Sequence, residues 1–249
     1  MLNIVIPMAG RGSRFSEAGY SIPKPLIQIQ GKHMIEGVID NIKPSSIDCR
    51  FIFICQMEHI KEFDIEKKLK QKEPGSIVIP INYVTEGAAC TVLLAEEHID
   101  NESPLMIANS DQWIDLDIDD YINFQINNKL DGLIMTMEAS DPKWSYVKLS
   151  DSKEKVTYVV EKKVVSNEAT VGIYNFSSGS DFCKHARLMI ENDDRVNGEF
   201  YVAPVYNSFI ESNKNIGIYN IGSESKGMYG IGTPEDLEYF LNDKVSLKF

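Results

Sequence analysis

Short apolar runs alternate with amphipathic, helix-forming stretches in the first half of the chain, and this alternation is the strongest constraint on the fold. Uninterrupted apolar runs of roughly four to eight residues are typical of parallel strands that are covered on both faces. Strands are predicted at residues 2–8, 50–55, 76–84, 104–110 and 131–137. Helices are predicted between them at residues 33–42, 57–72, 88–98 and 115–128. The order predicts an α/β fold with a Rossmann-like, mainly parallel mixed sheet flanked by helices.

The second half of the chain has a different pattern. Short segments rich in Val, Tyr and Thr indicate hairpins and therefore a small antiparallel extension, at residues 145–149, 155–160 and 169–176. Helices are predicted at residues 179–192, 199–212 and 233–242, with short strands near residues 216–220 and 226–231. Because no Pro- or Gly-rich break separates the two patterns, a single domain over residues 1–249 is expected.

Charge and hydropathy exclude several classes of function. The chain has 25 basic and 37 acidic residues and a formal net charge of −12 at pH 7, which argues against binding to nucleic acid or to an anionic membrane. No apolar run reaches the ~20 residues that cross a bilayer, and the N-terminus resembles a strand more than a signal peptide. The four cysteines lack metal-ligand spacing and suit reduced thiols, so a cytoplasmic location is expected.

The most informative segment follows the first strand and reads Pro7-Met8-Ala9-Gly10-Arg11-Gly12-Ser13-Arg14-Phe15. Its two glycines allow close approach of a ligand to the backbone. Exposed backbone N–H groups in such a loop bind anions, and the guanidinium groups of Arg11 and Arg14 match pairs of phosphate oxygens. The Walker ending GK[ST] is missing, and Phe15 stands where a dinucleotide fingerprint needs glycine. A phosphate-binding loop is predicted, with a plain β-α turn as the alternative.

Two further positions carry charge in a constrained setting. Lys24 lies between Pro23 and Pro25, which restrict the backbone on both sides and suit a charge that must be held in place. A solvated lysine in a proline-bounded loop is the alternative. Asp111 follows a predicted strand, where parallel sheets bind ligands. The aromatic residues Trp113, Trp144 and Tyr146 are candidates for stacking on a base or lining a pocket, with core packing as the alternative.

The glycine-rich loop at 10–14 and the Pro-Lys-Pro-Leu segment at 23–26 together resemble the signature of the sugar-phosphate nucleotidyltransferases. These enzymes transfer an NMP unit from an NTP to a phosphorylated acceptor and release pyrophosphate. The resemblance continues at residues 85–92, 109–111, 161–162, 170–174, 198–201 and 232–236. It implies a nucleotide-binding half at residues 1–138 and an acceptor-binding half at residues 139–249.

The resemblance also implies a role for individual residues. Arg14 and Lys24 are the expected catalytic cations, and Asp111 is expected to hold Mg²⁺. Nucleotide contacts are expected from Met8, Ala9, Gly10, Arg11, Gly12, Ser13, Glu86, Gly87, Ala88, Asn109 and Ser110. Acceptor contacts are expected from Glu161, Lys162, Thr170, Gly172 and Glu199.

One position departs from the family pattern. Gly230 stands where many relatives carry an aspartate that takes a second metal contact. Asp111 would then hold the metal with water and phosphate oxygens, or Glu224 would substitute. This departure keeps a non-catalytic nucleotide-binding regulator as an alternative function.

The length of the chain resembles that of small cytidylyltransferases. This resemblance favours CTP and an acceptor from capsule or surface-glycan synthesis, with phosphoglutamine as the expected acceptor. An amino-acid acceptor needs a cation for its carboxylate, and Arg187 and Arg195 are the arginines of the second half. A sugar 1-phosphate with another NTP is the alternative, and association into a homo-oligomer is left open.

Overall fold

Strands and helices follow one another largely as the apolar pattern predicts. The computed structural model describes residues 1–10, 12–152 and 155–249. The strands of the first half are β1 (Leu2–Pro7), β2 (Gln28–Ile29), β3 (Lys32–His33), β4 (Cys49–Gln56), β5 (Ile77–Ile81), β6 (Leu105–Ala108), β7 (Gln112–Ile114) and β8 (Gly132–Glu138). Those of the second half are β9 (Ser145–Leu149), β10 (Val156–Glu161), β11 (Glu168–Phe176), β12 (Ile216–Glu224) and β13 (Gly227–Gly230).

The helices lie between these strands. They are α1 (Ser13–Glu17), α2 (Met34–Ile42), α3 (Met57–Phe63), α4 (Ile65–Lys72), α5 (Ala88–Leu93), α6 (Glu96–Ile99), α7 (Ile118–Asn127), α8 (Gly179–Glu191), α9 (Val205–Glu211) and α10 (Pro234–Asn242). Two short 3-10 helices span Lys24–Leu26 and Lys244–Lys248. In the described parts of the chain, no helix has the length and apolar character that crossing a bilayer requires.

One sheet passes through both halves in the order β5-β4-β1-β6-β11-β8-β12-β13-β7. The four strands β5, β4, β1 and β6 are parallel to one another. Strand β11 then runs antiparallel to β6 and β8, while β12 is parallel to β8. The hairpin β9–β10 joins the edge of β11 as an antiparallel extension. The predicted fold class, a mainly parallel mixed sheet with a small antiparallel extension, is confirmed.

Both faces of the sheet are buried. Along β1, Ile4 and Ile6 face a core that includes Met34 of α2, while Val5 faces a second core that includes Phe182 of α8. All three β1 side chains have no exposed surface. Because successive residues of a strand point to opposite faces, burial on both sides requires the continuous apolar run that the sequence contains.

Four predicted helices are wrong in their extent. The helix predicted at 57–72 is broken at Asp64, which has a left-handed backbone with φ of 53°. The helix predicted at 88–98 is divided into α5 and α6, and the one predicted at 115–128 begins at Ile118. The helix predicted at 199–212 begins only at Val205, since residues 199–201 bond elsewhere and Pro204 disfavours helical backbone before it.

Candidate active site

The carboxyl ends of β1 and β6 meet at one edge of the sheet, because the two strands are parallel neighbours. The glycine-rich loop leaves β1 at this edge, and Asp111 follows β6. Lys24 reaches the same place: its Nζ lies 2.6 Å from Oδ2 of Asp111, although 87 residues separate them. Three features that the sequence suggests separately are therefore brought together.

The glycine-rich loop packs on the lysine segment. Gly12 has φ of 60°, and a Cβ at Gly12 would lie 3.5 Å from Cβ of Lys24. Around Gly10 the space is open, with no atom within 4 Å of the position of a Cβ. Arg14 is exposed on α1, and Arg11 lies outside the described residues. The loop therefore has open space beside its backbone at Gly10, and it packs against Lys24, which meets Asp111 at this edge.

Gln56 ties two backbone segments together at the same edge. It ends β4, and its Nε2 donates to the carbonyl oxygens of Ala9, at 2.5 Å, and Tyr83, at 3.3 Å. The N–H of Met8 donates to the carbonyl of Ile54 at 3.0 Å. The loop after β1 and the segment after β5 are thereby held side by side. Sequence reasoning missed Gln56, because a single glutamine at a strand end carries no motif.

The segment that opens α5 is joined to the second half of the chain by its backbone. The N–H of Phe200 donates to the carbonyl of Glu86 at 2.8 Å, and the N–H of Ala89 donates to the carbonyl of Phe200 at 3.0 Å. Gly87, between them, has φ of 137°, and a Cβ there would lie 2.5 Å from the nitrogen of Phe200. Only glycine allows this approach.

A polar cavity of about 250 Å³ lies between the two halves. Its lining residues are Ala88, Asn109, Gln112, Lys143, Trp144, Ser145, Glu161, Lys162, Thr170, Gly172, Tyr174, Tyr201, Val202 and Ala203. The structure thus brings together Ala88 and Asn109 from the predicted nucleotide contacts with most of the predicted acceptor contacts. Glu199 is not among the lining residues. Trp144 lines the cavity, whereas Trp113 and Tyr146 pack in the core.

Strand β11 forms one wall of this cavity. The N–H of Asn109 donates to the carbonyl of Gly172 at 3.0 Å. Gly172 has φ of 78°, and a Cβ there would lie 2.8 Å from Cγ of Asn109. The pairing of β11 with β8 is irregular between Thr170 and Tyr174, around this glycine. Gly172 therefore allows the end of β6 to lie against β11.

Charged groups line the opposite wall. The hydroxyl of Ser145 donates to the carboxylate of Glu161, and burial raises the pKa of Glu161. Lys162 donates to the hydroxyl of Tyr201 at 2.6 Å, and this hydrogen bond raises the pKa of Lys162. The ammonium of Lys143 lies 4.8 Å from the ring centroid of Trp144. One buried acid and two lysines are thus available to a ligand in the cavity.

The surroundings of Asp111 suit a divalent cation that is shared with a ligand. A search of the described residues finds no group of three or more His, Cys, Asp or Glu side chains that could hold a metal. Mg²⁺ in proteins commonly takes one or two carboxylates and completes its shell with water and substrate phosphates. The single carboxylate of Asp111 beside the glycine-rich loop fits this donor set.

A second carboxylate, that of Asp236, lies near Gly230. Oδ2 of Asp236 lies 3.6 Å from the position that a Cβ on Gly230 would take. Glu224, the substitute suggested by the sequence, instead pairs with Lys143 at 3.0 Å. Asp236 belongs to the segment at 232–236 that resembles the family, but the sequence reasoning gave it no metal role, because its approach to Gly230 exists only in the folded chain.

The two arginines of the second half are engaged outside the cavity. Arg187 pairs with Glu96 and Asp100, and Arg195 pairs with Glu86 and Asp193. Arg195 lies in the segment that follows α8, where its guanidinium is 4.3 Å from the ring centroid of Phe200. Neither arginine lines the cavity.

The fold and site define an α/β protein that has a glycine-rich loop and a cavity at the carboxyl ends of its parallel strands, where such sheets commonly bind ligands. A family model described as nucleotidyl transferase matches residues 4–201, and the chain belongs to this family. The predicted resemblance to the sugar-phosphate nucleotidyltransferases is confirmed.

Relatives and solved structures agree with this assignment. The mannose-1-phosphate guanylyltransferase catalytic subunit beta of Drosophila melanogaster is 27% identical over 182 residues, which are 70% of this chain and 47% of that protein. The chain thus spans about half the length of such relatives. A nucleoside-diphosphate-sugar pyrophosphorylase from Vibrio cholerae RC9 has a TM-score of 0.80 and 26% identity, covering 96% of this chain and 100% of that one. The inositol-1-phosphate CTP transferase from T. maritima shares the fold, with a TM-score of 0.74 and 15% identity over 98% and 93% of the two chains.

Proposed function

We propose that this protein transfers an NMP unit from an NTP to a phosphorylated small molecule and releases pyrophosphate. The observation that carries the proposal is the 2.6 Å contact between Lys24 and Asp111, which joins the lysine segment, packed against the glycine-rich loop, to the residues that follow β6. Membership of the nucleotidyl transferase family supports the reaction type. Residues 1–138 supply the nucleotide side of one domain, and residues 139–249 supply the acceptor side.

In the proposed reaction an oxygen of the acceptor phosphate attacks the α-phosphorus, and the bond from that phosphorus to the leaving pyrophosphate breaks. Because both reactants are anions, catalysis depends on positioning and charge neutralisation. Backbone N–H groups of Gly10, Gly12 and Ser13 bind the triphosphate. Arg14 stabilises the departing pyrophosphate, and Lys24 neutralises the α-phosphate. The remaining nucleotide contacts are Met8, Ala9, Arg11, Glu86, Gly87, Ala88, Asn109 and Ser110.

On the acceptor side, Lys162 binds the phosphate that attacks. The carboxylates of Glu161 and Glu199 accept hydrogen bonds from hydroxyl or amino groups of the acceptor. Thr170 and Gly172 form the wall contributed by β11. The buried position of Glu161 supports this role, since a buried carboxylate needs hydrogen-bond donors and Ser145 supplies only one.

Asp111 is the residue that would hold Mg²⁺. Mg²⁺ held there would supply positive charge to offset the negative charge of the triphosphate. In the structure Asp111 accepts a hydrogen bond from the ammonium of Lys24, so its carboxylate already binds one cationic group.

The net charge of −12 is compatible with anionic substrates. Charges separated by more than roughly 8 Å are largely screened at physiological salt. A unit pair about 4 Å apart near the surface interacts by about 4 kcal/mol at an effective dielectric of 20. The local cations Arg14, Lys24 and Lys162 therefore outweigh a diffuse negative surface.

CTP and phosphoglutamine are the substrates that we propose to test first. The T. maritima relative is a CTP transferase, which supports CTP as a nucleotide that this fold accommodates. Arg187 and Arg195 do not line the cavity, so a carboxylate of the acceptor would depend on Lys143, which would have to exchange its ion pair with Glu224 for one with the acceptor. The polar cavity and the buried Glu161 favour a hydroxyl-bearing phosphate as the second candidate acceptor.

The experiment is a pyrophosphate-release assay with each of the four NTPs and Mg²⁺. Its acceptors are phosphoglutamine, mannose 1-phosphate, glucose 1-phosphate and inositol 1-phosphate. We expect one NTP–acceptor pair to give turnover that Asp111→Asn abolishes. Asp115→Asn is the matched control, because Asp115 pairs with Lys248 away from the site. NTP binding without pyrophosphate release from any pair would favour a nucleotide-binding regulator, and normal turnover in Asp111→Asn would refute the metal assignment.

A further inference from the structure

Tyr201 contacts the cation of the proposed acceptor site. Its hydroxyl accepts a hydrogen bond from Nζ of Lys162 at 2.6 Å. The ammonium of Lys162 also lies 4.8 Å from the centroid of the Tyr201 ring. Both Tyr201 and Lys162 line the cavity of about 250 Å³. Tyr201 therefore contacts the ammonium with both its hydroxyl and its ring.

Lys162 has little else to hold its side chain. It follows the last residue of β10, has a left-handed backbone with φ of 54° and is exposed. An exposed lysine has a flexible four-carbon side chain and a strongly hydrated ammonium, so its location in solution varies widely unless a partner restrains it. The hydroxyl of Tyr201 is such a partner, and it directs the ammonium to the cavity.

Tyr201 is itself placed by the nucleotide side of the site. Its neighbour Phe200 is completely buried and exchanges two backbone hydrogen bonds with Glu86 and Ala89. The guanidinium of Arg195 pairs with Glu86 and lies over the Phe200 ring, which fastens the same junction. The position of the Tyr201 hydroxyl is thus determined by the segment that opens α5.

We propose that Tyr201 is a positioning residue whose hydroxyl holds the Lys162 ammonium at the acceptor cavity. The ammonium is thereby kept at a fixed position relative to the nucleotide segment at 86–89. The inference rests on the function proposed above, in which Lys162 binds the acceptor phosphate. Tyr201 acts through Lys162 and contributes no group to the reacting atoms. A phosphorylated acceptor therefore meets a cation that is already placed relative to the bound nucleotide.

The contact is tested first without any measurement of turnover. Wild type and Tyr201→Phe are treated briefly with acetic anhydride, and modification of individual lysines is measured by peptide mass spectrometry. A hydrogen-bonded ammonium reacts slowly, so we expect Lys162 to be acetylated several-fold faster in Tyr201→Phe. The exposed neighbour Lys163 is the internal control and should react equally in both proteins. Equal acetylation of Lys162 in the two proteins would overturn the proposal.

Kinetics then test the consequence with the NTP–acceptor pair found by pyrophosphate release. Loss of one hydrogen bond to a charged group corresponds to a rise of about tenfold in the KM for the acceptor, with the KM for the NTP unchanged. Tyr201→Phe should add no further loss in a Lys162→Met background, since both changes remove the same interaction. Tyr158→Phe, which removes an exposed hydroxyl on β10, is the matched control.

The two tests separate failure of this inference from failure of the proposed function. Additive losses in the double variant, or an unchanged acceptor KM in Tyr201→Phe while Lys162→Met loses acceptor binding, would overturn the positioning role. Faster acetylation of Lys162 in Tyr201→Phe, combined with normal turnover in Lys162→Met, would leave the contact standing and refute the acceptor role of Lys162.

Discussion

The exchange Gly87→Ala tests the junction between the two halves of the site. A Cβ at Gly87 would lie 2.5 Å from the nitrogen and 2.8 Å from the carbonyl carbon of Phe200, where ordinary contact begins at 3.4 Å. The carbonyl oxygen of Phe200 is nearer still, so the backbone of the two segments must separate by about 1 Å. In addition, φ of 137° with ψ of 173° is a conformation that only glycine adopts readily.

The expected cost has two parts. Backbone strain contributes about 1–3 kcal/mol, and weakening of the two hydrogen bonds between Phe200 and the segment at 86–89 adds about 1 kcal/mol each. We expect the free energy of unfolding to fall by about 3–5 kcal/mol, measured by urea denaturation. Because a displacement near 1 Å misaligns the reactants, kcat/KM should fall by about 100-fold.

Gly75→Ala is the matched control, since no atom lies within 4 Å of the position of a Cβ at Gly75. It should change the free energy of unfolding by no more than about 0.5 kcal/mol. A Gly87→Ala protein with wild-type stability and with kcat/KM within threefold of wild type would refute the reasoning. It would mean that the backbone contact between Gly87 and Phe200 does not set the alignment of the two halves.

Three other predictions follow from contacts at and beyond the site. Lys24→Ala should lower kcat, measured by stopped-flow, by about 100-fold, because the ammonium acts on charge that develops during the reaction. The affinity for the NTP, measured by equilibrium binding, should change less. A loss confined to affinity would contradict the catalytic assignment of Lys24. Gln56→Ala should raise the KM for the NTP about 3- to 10-fold and reduce the discrimination among the four NTPs, because the hydrogen bonds to the carbonyls of Ala9 and Tyr83 are lost. Unchanged selectivity would contradict this prediction. Gln28→Ala, an exchange at an exposed position on β2, is the control. Asp119→Asn should destabilise the fold by about 1–3 kcal/mol at neutral pH. Burial raises the pKa of Asp119, but hydrogen bonds from Ser45 and Ser46 outweigh it and lower the pKa from 3.8 to about 2. The stabilisation is therefore present above pH 3.8 and lost as pH falls toward about 2. The difference in free energy of unfolding between wild type and Asp119→Asn should vanish over that range. A difference that persists below about pH 2 would contradict the mechanism.

The fold class and the motif positions could be predicted from the sequence because their signals are local. A continuous apolar run predicts a strand with two buried faces, and β1 has Ile4 on one face and Val5 on the other. Glycines and prolines mark turns through their own backbone limits, as at Gly12 and Pro23. The end of a parallel strand marks a ligand edge, which is why Asp111 could be singled out.

Other features depend on contacts between segments that are far apart in the chain. Gln56 belongs to no motif, and Tyr201 ends a family-like segment without a role of its own; their importance comes from hydrogen bonds that span 47 and 39 residues. The helix predicted at 199–212 failed at its start because the backbone of Phe200 bonds to Glu86 and Ala89, a tertiary interaction that overrides helical spacing.

The sequence by itself therefore determined the order and type of most helices and strands. It also determined which charged residues are candidates for binding a phosphate. Only the tertiary structure decided which of these charges meet, such as Lys24 with Asp111, and which are engaged elsewhere, such as Arg187 and Arg195. The physical reason is that the spacing of apolar residues and the backbone limits of glycine and proline act over a few residues. An ion pair or hydrogen bond is instead defined by distances of about 3 Å, which exist only once the sheet has assembled.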